Sequence, residues 1–153
     1  MSPSAANDRI HSLEIPLQGT TLLVPSAAIA EVANPTELYP VPGSPPWLLG
    51  VMGWRAQPVP VVSFEGLIGQ SIPTLSAGSK IVIFYPLPGP RDWEFYGLLS
   101  LAEPRPQPIT SDSLETEDPA RLPDTAFIAA GVRVKGRLLF IPDFDVLRQA
   151  FYP

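Results

Sequence analysis

The residue types that carry out most covalent catalysis in proteins are scarce in this chain of 153 residues. It has no cysteine and a single histidine, His11. A nucleophile needs a base within hydrogen-bond reach, and histidine is the usual base. Because His11 lies in the N-terminal stretch without an evident partner, the sequence predicts a surface histidine. The lack of cysteine excludes disulfides, thiolate nucleophiles and zinc–thiolate sites.

Acidic side chains are the remaining candidates for catalysis or metal binding. The acidic segment from Ser111 to Pro123 contains Glu115, Glu117 and Asp118 but no clear periodicity, which predicts an exposed, solvated loop. The other carboxylates are scattered singly, without the spacing of metal ligands. The glycines of residues 50–53 lack the lysine and helix of a phosphate-binding loop. The sequence therefore predicts no enzyme activity, no metal site and no cofactor.

The charge of the chain argues against two classes of partner. Ten basic residues against fifteen acidic ones give a net charge of −5, and the only lysines are Lys80 and Lys135. Binding to nucleic acid or to an anionic membrane surface requires clustered Lys and Arg. The apolar runs are far shorter than the roughly 20 residues of a membrane-spanning helix, and residues 1–7 lack a signal-peptide pattern. We expect a cytoplasmic protein with no nucleic-acid partner and no direct membrane insertion.

Proline dominates the composition and limits the fold class. The chain has 21 prolines and 11 glycines, yet 45% of its residues are hydrophobic and only 16% are charged. Interior prolines cost a helix about 3 kcal/mol each, which excludes a long-helix bundle. The high hydrophobicity excludes a disordered chain. We expect one compact domain of short strands and many turns.

The local patterns predict about ten short strands and a few short helices. Turn signals recur every 8 to 12 residues, which is typical of an all-β barrel or sandwich. The predicted elements are a hairpin of Leu13–Leu17 and Thr20–Val24, a short helix over Ala27–Val32 capped by Ser26, strands at Val51–Arg55 and Val59–Phe64, a strand pair of Ile81–Tyr85 and Glu94–Leu101, a hairpin of Ala126–Val134 and Gly136–Pro142, and a C-terminal helix that Asp143 caps.

Aromatic and proline residues offer binding surface. Trp47, Trp54 and Trp93 either fill the core or supply interface area, and the core is the commoner role. The segment Glu103–Pro108 carries proline at three alternate positions. All three missing N–H groups would face the same side, so this segment can pair with a neighbouring strand on one side only.

A series of short motifs resembles the CheW-like family of chemotaxis coupling proteins. The resemblance covers nearly the whole chain, and its five N-terminal motifs occur in the family's order and spacing. The matching segments are Ile10–Gln18, Leu22–Pro25 with Ile29–Val32, Val41-Pro42 with Pro45, Leu49–Arg55, Pro58–Phe64 and, more faintly, Tyr96–Leu99 and Gly131 with Arg137–Asp143.

This resemblance implies an all-β fold of two small five-stranded β-barrel subdomains with short connecting helices and a C-terminal helix. Residues 10–69 would form mainly the first subdomain and residues 80–153 mainly the second. It also implies a non-enzymatic adaptor with two partners, the regulatory domain of a CheA-type histidine kinase and the cytoplasmic tip of a methyl-accepting chemoreceptor. The partner-binding residues that carry over are Glu31, Arg55, Ile29, Gly50 and Gly97.

Several positions depart from the family pattern. Trp54 replaces a leucine, Ala56 a glycine, and Ser63 and Ser100 replace aspartates. The prolines of Glu103–Pro108 stand where a paired strand is usual. These departures resemble an accessory adaptor of the type IV pilus chemosensory systems that drive twitching motility.

Two other classes of function are compatible with a small β-barrel. One is a module that binds a small ligand or forms oligomers and has no kinase partner, with the tryptophans lining its pocket. The other is an oligonucleotide-binding barrel, which would need a basic groove. The net charge of −5 argues against the second.

Overall fold

The computed structural model describes residues 9–86 and 95–151 of the chain. This part of the protein is mostly β-structure, with eleven strands and two α-helices. Short 3-10 helices lie at Ser26–Ala28 and Pro119–Arg121. The strands are β1 (Ser12–Leu17), β2 (Thr20–Pro25), β3 (Ile29–Ala33), β4 (Leu48–Trp54), β5 (Gln57–Val62), β6 (Lys80–Phe84), β7 (Tyr96–Ser100), β8 (Arg105–Pro106), β9 (Leu114–Thr116), β10 (Ile128–Val134) and β11 (Arg137–Pro142), and the helices are α1 (Phe64–Leu67) and α2 (Phe144–Phe151).

The strands form two sheets that follow a common plan. One has the order β8-β1-β2-β11-β10-β9 and the other β3-β6-β7-β5-β4. Each contains one parallel pair, β2 with β11 and β5 with β7, and its other ladders are antiparallel. In each sheet the second strand of a hairpin, β5 or β11, runs directly into a helix, α1 or α2.

Each sheet draws strands from both parts of the chain. The N-terminal hairpin β1–β2 pairs with the C-terminal strand β11, and the β6–β7 pair joins the sheet that holds β4 and β5. The predicted all-β class is therefore confirmed, as are the β1–β2, β6–β7 and β10–β11 pairs. The division into subdomains at residues 69–80 stays a prediction.

Three clusters of buried side chains hold the sheets together. The largest contains residues of both sheets, such as Ile15, Val82 and Phe140, together with Leu147 of α2. A second fills the concave side of the five-stranded sheet, and a third lies against the six-stranded sheet. Since Phe144, Leu147 and Phe151 all pack on the first cluster, the apolar face predicted for the C-terminal helix is confirmed.

Side chains cap both helices at the positions that follow a strand. The Ser63 hydroxyl accepts a hydrogen bond from the Gly66 N–H at 3.1 Å, and the Asp143 carboxylate accepts one from the Val146 N–H at 3.1 Å. Serine and aspartate are nearly equivalent N-caps. Ser63 therefore preserves the capping capacity of the aspartate that it replaces in the family pattern.

Two predicted elements are wrong, and pairing with distant strands explains both. The helix expected over Ala27–Val32 is a single 3-10 turn followed by β3, because Ile29 to Ala33 pair with β6. The acidic segment is not simply a solvated loop, since β9 pairs with β10 and Glu117 is largely buried. Tertiary pairing outweighs local propensity in each case.

The proline-rich segment forms the edge strand β8. The N–H groups of its odd-numbered residues point toward β1 and the residues before it. Gln107 donates to the Ser12 carbonyl at 2.8 Å, and Ile109 donates to the Ile10 carbonyl at 3.0 Å. Pro104, Pro106 and Pro108 therefore occupy the outward positions, and β8 pairs only with β1. The predicted one-sided pairing is confirmed, and this edge cannot donate hydrogen bonds to an added strand.

The five-stranded sheet is strongly curled. In a flat sheet its outer strands β3 and β4 would lie about 19 Å apart, four spacings of about 4.8 Å. Instead, Ala33 of β3 and Met52 of β4 share one core cluster. No ladder joins these two strands among the described residues, so the expected closed barrel is not confirmed.

Candidate functional site: the β3–β4 rim

Arg55 lies at the tip of the β4–β5 hairpin. The two turn residues, Arg55 and Ala56, have φ values of 48° and 60°, and Trp54 pairs with Gln57. Two central residues with positive φ define a type I′ turn, whose twist suits a hairpin. The turn carries the Arg55 side chain away from the core, where it is 65% exposed.

The Arg55 guanidinium lies over an indole ring. Its Cζ atom is 4.7 Å from the centroid of Trp54, close enough for a cation–π interaction. Trp54 is itself buried, and its ring contacts Phe95 with centroids 4.8 Å apart. The tryptophan that departs from the family pattern therefore joins the core to the charged rim and positions Arg55.

Glu31 meets Arg55 from the opposite edge of the sheet. The register of β3 against β6 shifts between Ile29 and Glu31, and such a bulge redirects the side chains that follow it. The Glu31 Oε1 atom accepts a hydrogen bond from Arg55 Nη2 at 2.8 Å. This ion pair spans the gap between β3 and β4, as the sequence suggested these two residues could. Exposed pairs contribute only about 0–1 kcal/mol to stability.

A shallow groove of about 450 Å³ lies beside the ion pair. Its lining includes Tyr39, Trp54, Arg55 and Pro58. The Tyr39 backbone pairs with Val51 through two hydrogen bonds of 2.9 Å, while its side chain is 60% exposed. A hydrogen bond with Glu37 raises the pKa of the Tyr39 phenol. The groove thus combines a cation, a carboxylate nearby and exposed aromatic surface.

Two of the predicted site residues are buried glycines that shape this rim. A Cβ atom on Gly50 would lie 2.9 Å from the Tyr39 carbonyl oxygen, and Gly50 has a φ of 148°. A Cβ atom on Gly97 would lie 2.8 Å from the Ile81 side chain. Ile29 is half-buried and packs on the largest core cluster. The structure brings only Glu31 and Arg55 together at the surface.

The Tyr39 bridge is the contact that the sequence did not predict. It lies in the proline-rich segment Leu38–Pro46, whose sequence predicts an extended, irregular or edge-strand conformation. No local pattern indicates β4 as its partner. Of the three tryptophans, Trp54 is buried and Trp47 is half-buried against the core, whereas Trp93 lies outside the described residues. The core role expected for the tryptophans is confirmed for Trp54.

The described residues hold no site for metal chemistry. In residues 9–86 and 95–151, no group of three or more His, Cys, Asp or Glu side chains could hold a metal ion. No helix in the same ranges is long and apolar enough to cross a membrane. What the rim offers is an oriented cation, an exposed tyrosine and a groove, which are features of protein-binding surfaces.

The fold is that of a small β protein with two sheets. Comparison with known proteins identifies the family: residues 11–151 match the CheW-like domain. The chain belongs to the CheW-like family, whose members are scaffolding adaptors rather than enzymes. The family resemblance of the sequence is therefore confirmed.

A solved structure shows the same fold. It is the crystal structure of the scaffolding protein TtCheW from Thermoanaerobacter tengcongensis, with a TM-score of 0.74 and 21% sequence identity over 88% of each chain. A search of curated protein sequences finds no significant match.

Proposed function

We propose that this protein couples the cytoplasmic tip of a methyl-accepting chemoreceptor to the regulatory domain of a CheA-type histidine kinase. Its membership of the CheW-like family supports a coupling role in chemotaxis signalling. The observation that carries the proposal is the Glu31–Arg55 pair. Trp54 holds it at an exposed rim, where it adds little to stability. Such a pair is better explained by docking than by folding.

The rim has the chemistry of an interaction hot spot. A guanidinium carries five N–H donors, and the ion pair with Glu31 occupies Nη2 of Arg55, so donors remain for a partner's carboxylate or carbonyl groups. The adjacent groove and the exposed Tyr39 ring offer apolar area. Arginine and tyrosine are enriched among the residues that dominate binding energy.

We assign the remaining predicted residues supporting roles at this surface. Ile29 begins β3 and precedes the bulge that directs Glu31. Gly50 admits the Tyr39 segment next to β4, and Gly97 leaves room for the side chain of Ile81 in the neighbouring strand β6. Substituting these residues would alter binding by moving Glu31, Arg55 or Tyr39.

Charge reversal at the rim tests the proposal. Isothermal titration would measure the affinity of the kinase regulatory domain, and separately of a chemoreceptor cytoplasmic fragment, for the wild type and for Arg55→Glu. We expect Arg55→Glu to bind the kinase regulatory domain at least tenfold more weakly than the wild type does, with an unchanged circular dichroism spectrum. Arg121→Glu, a reversal at an exposed arginine in a distant 3-10 helix, is the matched control. Wild-type protein that binds neither partner at high micromolar concentration would refute the proposal.

The finer features of the proposal concern subdomains, location and pathway. The curled five-stranded sheet supports a barrel-like subdomain in which side chains close the gap between β3 and β4. We place the protein in the cytoplasm, where a receptor tip and its kinase meet.

The departures from the family pattern at Ala56 and Glu103–Pro108 support a role in type IV pilus signalling. A gene deletion that leaves twitching motility unchanged would contradict that role.

One observation favours the alternative of a ligand-binding or oligomer-forming module. An apolar groove of about 470 Å³ lies between α2 and β5 and is lined in part by Trp47, Leu48 and Phe151. Light scattering across a hundredfold range of concentration, with tryptophan fluorescence during small-molecule screening, tests this alternative. A constant monomer mass and no fluorescence change would exclude it.

A further inference from the structure

A polar cleft of about 400 Å³ lies on the six-stranded sheet, away from the β3–β4 rim. It lies between the edge strand β8 and the tip of the β10–β11 hairpin. Its lining consists of Glu14, Arg105, Pro106, Gln107, Lys135 and Arg137. Three cationic side chains therefore face one carboxylate, which leaves two positive charges in a cleft of a chain whose net charge is −5.

Two of the three cations are available for a ligand. The Arg137 Nη2 atom donates a hydrogen bond to Glu14 Oε2, so Arg137 is held in place. Arg105 is 72% exposed, and its Nη2 atom lies 3.9 Å from Glu14 Oε1, beyond hydrogen-bond distance. Lys135 is exposed and forms no ion pair with any residue in the described ranges.

The floor of the cleft holds an acceptor that lacks a donor. The Glu14 side chain is 3% exposed, and its Oε1 atom is buried without a hydrogen-bond partner. A buried acceptor in this state costs free energy until a donor reaches it. Because Arg105 is exposed and unconstrained by hydrogen bonds, a small rotation of its side chain would open Oε1 to a ligand.

The backbone around the cleft adds rigidity. Lys135 stands in the two-residue turn of the β10–β11 hairpin with a φ of 52°, so the paired residues Val134 and Arg137 determine where it lies. Pro106 has no N–H group, and the Gln107 N–H points inward to Ser12. Recognition in this cleft therefore depends on charged side chains held at the ends of paired strands.

We propose that this cleft binds a phosphoryl group that retains one proton, either as hydrogen phosphate or as a phosphate monoester. Arg105, Lys135 and Arg137 would donate to its charged oxygens, as arginine and lysine do in phosphate sites. Its single P–O–H group would donate to Glu14 Oε1. A phosphate monoester has its second pKa near 6 and keeps that proton in part of the population near neutral pH. Sulfate and carboxylate ions lack such a donor, so Glu14 selects against them.

Anion titrations followed by NMR test the proposal directly. At constant ionic strength, wild-type protein would be titrated with N-acetyl-O-phosphoserine amide at pH 6, with inorganic phosphate at pH 7.5, and with sulfate at both pH values. Each phosphoryl probe then carries a single P–O–H group in a large part of its population. We expect saturable shifts at residues 105–107 and 135–137 with both phosphoryl probes, and binding at least tenfold weaker with sulfate. Tighter binding of one phosphoryl probe identifies the source, free phosphate or a phosphorylated side chain. Equal affinity for sulfate, or no saturation by either phosphoryl probe, would overturn the proposal.

Variants test separately the cations that would bind the charged oxygens and the Glu14 carboxylate that would accept the P–O–H hydrogen bond. Lys135→Ala and Arg105→Ala, both at exposed positions, should each weaken phosphate binding about tenfold without altering the thermal melt. Lys80→Ala, which removes the other lysine of the chain from the five-stranded sheet, should leave it unchanged. Glu14→Gln should reduce the preference for phosphate over sulfate, provided that its circular dichroism spectrum matches the wild type. Phosphate binding that survives loss of both Arg105 and Lys135 would refute the site.

Discussion

Replacing Gly50 by alanine tests how the β3–β4 rim is built. A Cβ atom at this position would lie 2.9 Å from the Tyr39 carbonyl oxygen, 3.1 Å from the Tyr39 carbonyl carbon and 3.2 Å from the Leu38 Cβ. Two of these neighbours are backbone atoms, so no side chain can rotate away to make room. The φ of 148° is also unfavourable for any L-residue with a side chain.

The expected loss of stability follows from these contacts. Backbone strain costs about 1–3 kcal/mol. Displacing the Tyr39 segment weakens two hydrogen bonds to Val51, each worth about 0.5–1.5 kcal/mol. The smaller entropy of an unfolded alanine returns about 0.4–1 kcal/mol. We expect Gly50→Ala to lower the free energy of unfolding by about 2–4 kcal/mol.

Urea unfolding followed by tryptophan fluorescence and circular dichroism measures this loss. The matched control is Gly53→Ala, in the same strand, where an added Cβ meets nothing within 4 Å. We expect this control to be as stable as the wild type or up to about 1 kcal/mol more stable, because nothing opposes the entropy gain of alanine. A Gly50→Ala protein as stable as Gly53→Ala would refute the close packing of Tyr39 against β4.

Three further predictions concern single side chains. Ala56→Gly should raise the free energy of unfolding in urea by about 0.5–1 kcal/mol, because Ala56 has a φ of 60° and the left-handed region disfavours alanine. Unchanged or lower stability would contradict the left-handed conformation of residue 56. Glu65→Ala should lower the free energy of unfolding in urea by about 2–3 kcal/mol, because buried Glu65 accepts a hydrogen bond from the Gln18 N–H at 2.9 Å. A loss below about 0.5 kcal/mol would contradict a stabilising role for this hydrogen bond. A hydrogen bond from Arg133 holds the pKa of Glu117 below its usual value of 4.5. The ionised carboxylate therefore stabilises the folded chain at pH values above 4.5, and this stabilisation is lost as the pH falls from 4.5 through the lowered pKa. Glu117→Gln should therefore flatten the acid limb of a stability–pH profile, and an unchanged limb would contradict the pairing.

The sequence predicted those parts of the fold that depend on neighbouring residues. Alternating apolar residues around a tight turn identified the β1–β2 and β10–β11 hairpins, and alternate prolines identified the one-sided edge at β8. The helix expected over Ala27–Val32 failed because Ile29 to Ala33 pair with β6, about fifty residues further along the chain. Local propensity carries no information about such a partner.

The candidate site shows the same limit. The family motifs identified Glu31 and Arg55, and the structure brings the two together across the open edges of the sheet. The sequence could not predict that Trp54 would lie under Arg55 or that Tyr39 would pair with Val51, because no local pattern of residues indicates either contact. The Glu14–Arg137 pair joins residues 123 positions apart, and only the folded chain reveals it.

The most direct test of the proposed adaptor role is a charge-swap titration against the kinase regulatory domain. Affinity would be measured by calorimetry for the wild type, for Arg55→Glu, for Glu31→Arg and for the double variant Glu31→Arg with Arg55→Glu. We expect each single variant to bind at least tenfold more weakly than the wild type. The double variant should keep the fold but not recover full affinity, because the partner meets the cation at residue 55. Single variants that bind as tightly as the wild type would contradict the proposed role.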